Sequence, residues 1–116
     1  MITGIGIDLC SIARLADALA RTPGLRERLF HPSEQDLPAN SLAARFAAKE
    51  ALAKAVGNPS VLVWSEIEVT KDELGKPNFA FHGKTKLEIE KLNVRCLLSL
   101  SHELELATAM VVLEAL

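Results

Sequence analysis

Residues 94–116 read VRCLLSLSHELELATAMVVLEAL, and they decide which kind of fold the chain adopts. Two apolar runs, VRCLLSLSH and ELATAMVVLEAL, carry the pattern. The spacing predicts two strands joined as a hairpin through His102–Leu104, and hence an antiparallel sheet. In the last strand Leu106, Met110 and Val112 fall on one face, and Ala107, Ala109, Val111 and Leu113 on the other. Both faces are apolar, so both require cover. The chain's own helices can cover one, and a second subunit the other.

Outward from this hairpin, the pattern alternates between strand and helix periods. ITGIGIDL, at the start, reads as a strand with Ile5, Ile7 and Leu9 on one face and Gly4, Gly6 and Asp8 on the other. SIARLADALARTPG reads as a helix capped by Ser11, with Ile12, Leu15, Ala16 and Leu19 at helical spacing and Pro23–Gly24 at its end. LRERLF and HPSEQDL each predict a short helix, the second with Pro32 at its first position. A long helix is expected over 42–56, capped by Asn40 or Ser41 and closed by Gly57. VWSEIEVTKD and PNFAF read as strands joined by the turn ELGK, with Pro77 where no ladder donor is needed. GKTKLEIEKLN is an amphipathic helix. The order β-α-α-α-β-β-α-β-β predicts an α+β fold, an antiparallel sheet packed by helices.

At 116 residues, the chain is expected to form one domain, 1–116, with a single core. Hydrophobic residues make up 49% and charged residues 24%, which excludes a disordered chain. The net charge of −2 points to neither nucleic acid nor a membrane as partner. Cys10 and Cys96 form no CxxC and have no histidine at ligand spacing, so they read as apolar residues of a reducing compartment. MITGIGID is not a signal peptide and no apolar run reaches spanning length. The expected location is the cytoplasm.

The chemistry is concentrated in RFAAKEALAKA, residues 45–55. Leu42, Phe46 and Ala53 share one helical stripe, and Glu50 lies at its edge with Lys54 one turn on. Glu50 and Lys54 form either a structural ion pair or a site for something beyond the helix. Asp8, on the glycine face, either caps the next helix or holds a metal or polar ligand. Taken together, two carboxylates on inward faces suit Mg²⁺, and the sequence offers no His or Cys cluster for a softer ion. His102 is a turn residue or a ligand contact. Gly75–Lys76–Pro77 is a hairpin turn whose lysine can reach a phosphate. Arg14, Arg21, Arg26 and Arg28 form a solvated charged face or a docking surface for an acidic protein.

GIGIDLCSIAR (4–14), LFHPSE (29–34), RFAAKEALAKA (45–55), GKP (75–77) and SLSHELELATAMVV (99–112), in this order, resemble the holo-acyl-carrier-protein synthases. These are the small bacterial 4′-phosphopantetheinyl transferases. The resemblance implies their fold and their Mg²⁺-dependent reaction. The phosphopantetheine arm of coenzyme A passes to a serine of apo acyl carrier protein, adenosine 3′,5′-bisphosphate leaves, and fatty acid biosynthesis is supplied. It also implies a homotrimer with active sites between subunits. By motif, Asp8 and Glu50 look like the Mg²⁺ ligands, and Glu50 and Lys54 like the catalytic pair, Lys54 beside the pyrophosphate. Arg45 and His102 look like contacts to the 3′-phosphate, with Gly75, Lys76 and Pro77 near the nucleotide. Arg14 resembles the arginine that docks the carrier, and Arg21, Arg26 and Arg28 would form its rim.

Two stretches depart from the family pattern. The segment between HPSE and RFAAKE is shorter than usual, and GNPSVLVWSEIEV lacks the usual glycine-rich loop. Two other functional classes share some of these features. A different Mg²⁺ enzyme acting on a nucleotide pyrophosphate needs the acidic pair but no arginine face. A non-catalytic carrier-binding module needs the arginines but tolerates neutral residues at 8 and 50.

Overall fold

The C-terminal hairpin is the centre of the molecule, in a computed structural model that describes all 116 residues. Strands β4 (Val94–Glu103) and β5 (Leu106–Ala115) pair antiparallel from Val94↔Ala115 to Glu103↔Leu106. The turn is tighter than expected: Leu104 and Glu105 alone make it, with Leu104 in the left-handed region at φ 55°. His102 therefore stays inside the strand, opposite Ala107. β1 (Ile2–Ser11) adds to the free edge of β5, giving the sheet order β1-β5-β4.

α3 (Ala39–Val56) lies across one face of this sheet. Most of its length is buried, and Ala43, Ala47, Ala48 and Ala51 are fully enclosed. Beneath it lie Ala107, Ala109, Val111 and Leu113 of β5, all buried. The opposite sheet face has no cover from this chain. Ile5, Ile7, Leu9, Leu97, Leu106 and Met110 stand on it, with Ile5 63% and Leu9 66% exposed.

α1 (Ile12–Arg21) follows β1 and packs at the flank of α3, and α2 (Leu25–Leu29) packs against α1 and the Trp64–Glu66 turn. Ser11 caps α1 as expected, its Oγ accepting from the Arg14 amide at 3.2 Å. β2 (Ile67–Lys71) and β3 (Pro77–Phe81) pair with each other and form a separate two-stranded sheet. α4 (Gly83–Leu92) returns the chain to β4. The α+β class stands, with two antiparallel sheets rather than one. No helix is long and apolar enough to cross a membrane.

Three local expectations fail, each for a physical reason. Residues 32–37 form a run of turns, not a helix. Pro38 disfavours helical geometry at Leu37, and the Glu34 carboxylate turns back to accept the His31 amide at 2.9 Å. α3 starts at Ala39, not 42, with Pro38 at its N-cap and no side-chain cap. The Asn40 side chain instead accepts locally from the Ser41 amide at 2.8 Å. The strand expected from Val63 begins at Ile67, because Trp64–Glu66 form a 3₁₀ turn.

Candidate active site

β1 and α3 meet through their smallest residues. A Cβ on Gly6 would strike the carbonyl oxygen of Ala51, and one on Gly4 that of Ala55. Glycine is what lets the strand backbone approach the helix backbone this closely. This contact fixes Glu50, next to Ala51, beside Asp8, two residues beyond Gly6. Burial first, then the charge of Asp8, raises the pKa of Glu50 against the opposing pull of Lys54. The thiol of buried Cys10 is raised by burial and by the same two carboxylates.

Lys54 closes the group. Its Nζ donates to the Ile7 carbonyl at 2.9 Å and to Asp8 Oδ1 at 3.1 Å. The ion pair is thus Lys54–Asp8 rather than Lys54–Glu50. Asp8 does not cap α1, because Ser11 does. Lys54 pairs with Asp8 alone and Glu50 has no ion-pair partner, an excess of negative charge among hard oxygen donors that suits a divalent cation such as Mg²⁺.

A second group gathers in a cleft of about 250 Å³ lined by Arg45, Gly75, Pro77 and His102. All four were expected from sequence. Ser41, Lys71 and Ser101 line it as well. Lys71 went unnoticed in the sequence because it ends an ordinary alternating strand. Its register partner is Pro77, so a hairpin drawn from sequence would have put it beside the GKP turn. Lys76 is not among the lining residues. Its amide donates to Asp72 Oδ1 at 2.9 Å, as does that of Leu74, so it helps lock the turn that presents Gly75.

Arg45 is buried, with burial lowering its pKa, and its Nε has no hydrogen-bond partner. The enclosed Nε lies toward Glu34, at 3.8 Å, while Arg45 also lines the cleft, where a guanidinium suits an anionic ligand. Beneath it lies a fully enclosed ion pair. Lys49 Nζ donates to Glu34 Oε1 at 2.7 Å, the Leu29 carbonyl at 2.8 Å and the Trp64 carbonyl at 3.0 Å. Glu34 also accepts from the His31 and Val69 amides, both at 2.9 Å, and its Oε2 lies 3.8 Å from Arg45 Nε. Burial lowers the pKa of Lys49, and Glu34 opposes that fall. Neither residue was singled out in the sequence.

The two groups lie on different flanks of α3. At about 100° per residue, Lys54 is turned roughly 180° from Arg45, and Glu50 roughly 140°. Sheet order repeats the separation: Asp8 is on β1, His102 on β4, and β5 lies between. The structure therefore brings together Asp8, Glu50 and Lys54, and separately Arg45, Gly75, Pro77 and His102.

The arginines divide too. Arg14, Arg21 and Arg28 are exposed, and Arg21 Nε makes one long bond, 3.4 Å, to the Asp17 carbonyl. Arg26 donates to the Gln35 carbonyl at 2.8 Å and braces the turns after α2. The expected absence of a histidine cluster does not hold: His31, Glu68 and His82, far apart in sequence, offer ligand atoms within 4.8 Å of one another.

Comparison with known proteins identifies the family and the fold. The sequence profile of the 4′-phosphopantetheinyl transferase superfamily matches residues 4–107. The holo-[acyl-carrier-protein] synthase of Clavibacter michiganensis is 52% identical over 115 residues, covering 98% of this chain and 97% of the relative. The crystal structure of the Neisseria meningitidis holo-[acyl-carrier-protein] synthase superposes with a TM-score of 0.88 at 35% identity, covering 98% of this chain and 99% of that one. The Helicobacter pylori holo-[acyl-carrier-protein] synthase in complex with coenzyme A superposes with a TM-score of 0.79 at 31% identity, covering 95% and 99%.

Proposed function

The chain belongs to the 4′-phosphopantetheinyl transferase superfamily, and we propose that it works as a holo-acyl-carrier-protein synthase with Asp8, Glu50 and Lys54 at its reacting centre. The enzyme transfers 4′-phosphopantetheine from coenzyme A to a serine of apo acyl carrier protein. The serine oxygen bonds to the β-phosphorus, the pyrophosphate bridge breaks, and adenosine 3′,5′-bisphosphate and the serine proton leave. This reaction builds charge on phosphate oxygens, so positioning and electrostatics carry the catalysis.

The observation that supports the site most is the pairing of Asp8 with Glu50 across the glycine contact. These carboxylates would hold Mg²⁺, which supplies neutralising charge at the pyrophosphate when bound. Lys54 has two of its three donors on Ile7 and Asp8, leaving the third for a phosphate oxygen. In the cleft, Arg45, Lys71 and His102 would grip the 3′-phosphate, with the Gly75–Pro77 turn against the nucleotide. Arg14 would meet the acidic carrier, with Arg21 and Arg28 at the rim. Arg26 is committed to Gln35 and would contribute mainly long-range charge. Fatty acid biosynthesis in the cytoplasm is the setting this reaction implies, in keeping with two free cysteines.

One chain holds the metal pair and the phosphate grip on different flanks of α3. A homotrimer would join them, the metal pair of one subunit facing the cleft of the next. The uncovered apolar face carrying Ile5, Ile7, Leu9 and Met110 supplies the surface for such an assembly. Incubation with coenzyme A, Mg²⁺ and an apo carrier protein, followed by mass measurement of the carrier, tests the function. The carrier should gain the mass of one phosphopantetheine. An unchanged carrier with coenzyme A hydrolysed would identify a different pyrophosphate enzyme, and an unchanged carrier with coenzyme A intact a binding module.

A further inference from the structure

We propose that His31, Glu68 and His82 form a second cation site, separate from Asp8–Glu50, that takes Zn²⁺ or a similar transition ion. The three residues come from different parts of the fold. His31 begins the run of turns after α2, Glu68 lies in β2, and His82 immediately precedes α4. His82 Nε2 lies 2.9 Å from Glu68 Oε1, and His31 Nδ1 lies 3.8 Å from Glu68 Oε2. The imidazoles stack, their centroids 4.5 Å apart with 20° between the planes.

The donor chemistry selects the ion. Two imidazole nitrogens and one carboxylate match the three-ligand Zn²⁺ sites that leave a fourth position for water, whereas Mg²⁺ favours oxygen alone. Around Zn²⁺, with bonds of about 2.0–2.1 Å, tetrahedral donors sit roughly 3.3–3.4 Å apart. The observed spacings of 2.9 and 3.8 Å run to the two different oxygens of Glu68, and one ligand atom from each residue lies within 4.8 Å of the others, so side-chain rotations have to draw the three donors together around the ion. No lysine or arginine pairs with Glu68; its side-chain partners are Ser33 and the two histidines. The Ser33 hydroxyl donates to Glu68 Oε2 at 2.6 Å and orients the carboxylate toward the two rings.

Binding displaces three existing contacts. The Ser33 hydroxyl at 2.9 Å and the Ser33 amide at 3.2 Å give up His31 Nδ1, and the 2.9 Å bond between His82 Nε2 and Glu68 Oε1 gives way to the ion; Ser33 is exposed, so water can take over its released groups. The ion would tie the turn bearing Glu34 to β2 and to the entry of α4. Glu34 is the residue that holds Lys49 beneath Arg45. The role assigned to the ion is thus a brace for the cleft, independent of the reacting centre.

Calorimetric titration with Zn²⁺ tests this on the chelator-treated full chain, with saturating Mg²⁺ present to occupy hard oxygen sites. One Zn²⁺ per chain is expected with micromolar affinity. His31→Gln and His82→Gln should each weaken it by about tenfold or more, and the double variant should abolish it. Co²⁺ in place of Zn²⁺ should give the intense visible bands of a four-coordinate ion in the wild type and lose them in the double variant. Zn²⁺ should also raise the melting temperature of the wild type and not of the double variant. Failure of the wild type to bind, or equal binding by the double variant, would overturn the proposal. Circular dichroism of the single variants separates lost ligation from lost fold.

Discussion

Glu50 carries the sharpest conflict between stability and chemistry. Its pKa is raised above 4.5 by burial and by Asp8. A group held this way favours the fold while protonated; that contribution is complete below the unfolded pKa and is lost as pH rises through the folded one. At neutral pH without a divalent cation, Glu50 is therefore a penalty. Glu50→Gln should melt higher than wild type under those conditions, and the gap should close below about pH 4, where both side chains are neutral. The same variant, like Asp8→Asn, should lower turnover by about 10²–10³-fold. A Glu50→Gln protein with wild-type turnover at limiting Mg²⁺ would remove Glu50 from the site.

Lys71 and Arg14 separate the two substrates. Lys71→Ala should raise the KM for coenzyme A by about tenfold, the loss of one charge-assisted contact to phosphate, and spare the KM for the carrier. Arg14→Ala should do the reverse, and raised salt should slow the wild type more than this variant. A KM change for coenzyme A in Arg14→Ala would transfer Arg14 to the nucleotide site.

At the scale of elements, burial teaches more than capping rules do. The stripe of Leu42, Phe46 and Ala53 was legible in the sequence with Glu50 at one edge, but Lys49, at the other edge, is the charged residue the fold encloses. A fully buried lysine demands a buried acid, and Glu34, from a segment read as a helix, provides it. Nothing local in HPSEQDL announces that pairing, because it depends on a residue 15 positions away. Lys49→Ala should cost about 3–5 kcal/mol, since it strands a buried carboxylate. Hydrophobic replacement of both partners should not restore stability, because Glu34 also satisfies the His31 and Val69 amides.

α4 is capped at a distance. His82 occupies its N-cap without a side-chain bond, and Glu66 of the 3₁₀ turn accepts from the Thr85 amide at 2.9 Å and hydroxyl at 2.8 Å. These bonds lower the pKa of Glu66, so its contribution is present above 4.5 and lost as pH falls through the folded value. Glu66→Ala should destabilise the fold by about 1 kcal/mol at neutral pH, with the difference shrinking in acid. This also explains the shortened β2: residues 64–66 alternate like a strand in sequence but serve Lys49 and α4 in the fold.

On the scale of the whole molecule, the hairpin, the glycine face and the two-faced last strand were all legible in the alternation of residues. Which face of β5 stays open was not, because that depends on where α3 lands. The structure buries Val111 completely and leaves Met110 41% exposed. Met110→Lys should give a folded chain that sediments as a monomer, while Val111→Lys should unfold. A wild-type monomer at micromolar concentration would count against the trimer. The division of the candidate residues between two flanks of α3 was not legible in any one motif, although the family resemblance implied sites between subunits.

Mixing inactive chains tests that division most directly. One variant, Asp8→Asn, lacks the metal pair; the other, Lys71→Ala with His102→Ala, lacks exposed residues of the cleft. Each should be nearly inactive alone. Unfolded and refolded together in equal amounts, they should recover about a quarter of wild-type activity, because random assembly pairs an intact metal half with an intact cleft half at that frequency. Activity no greater than the average of the two variants would contradict a site built from two chains.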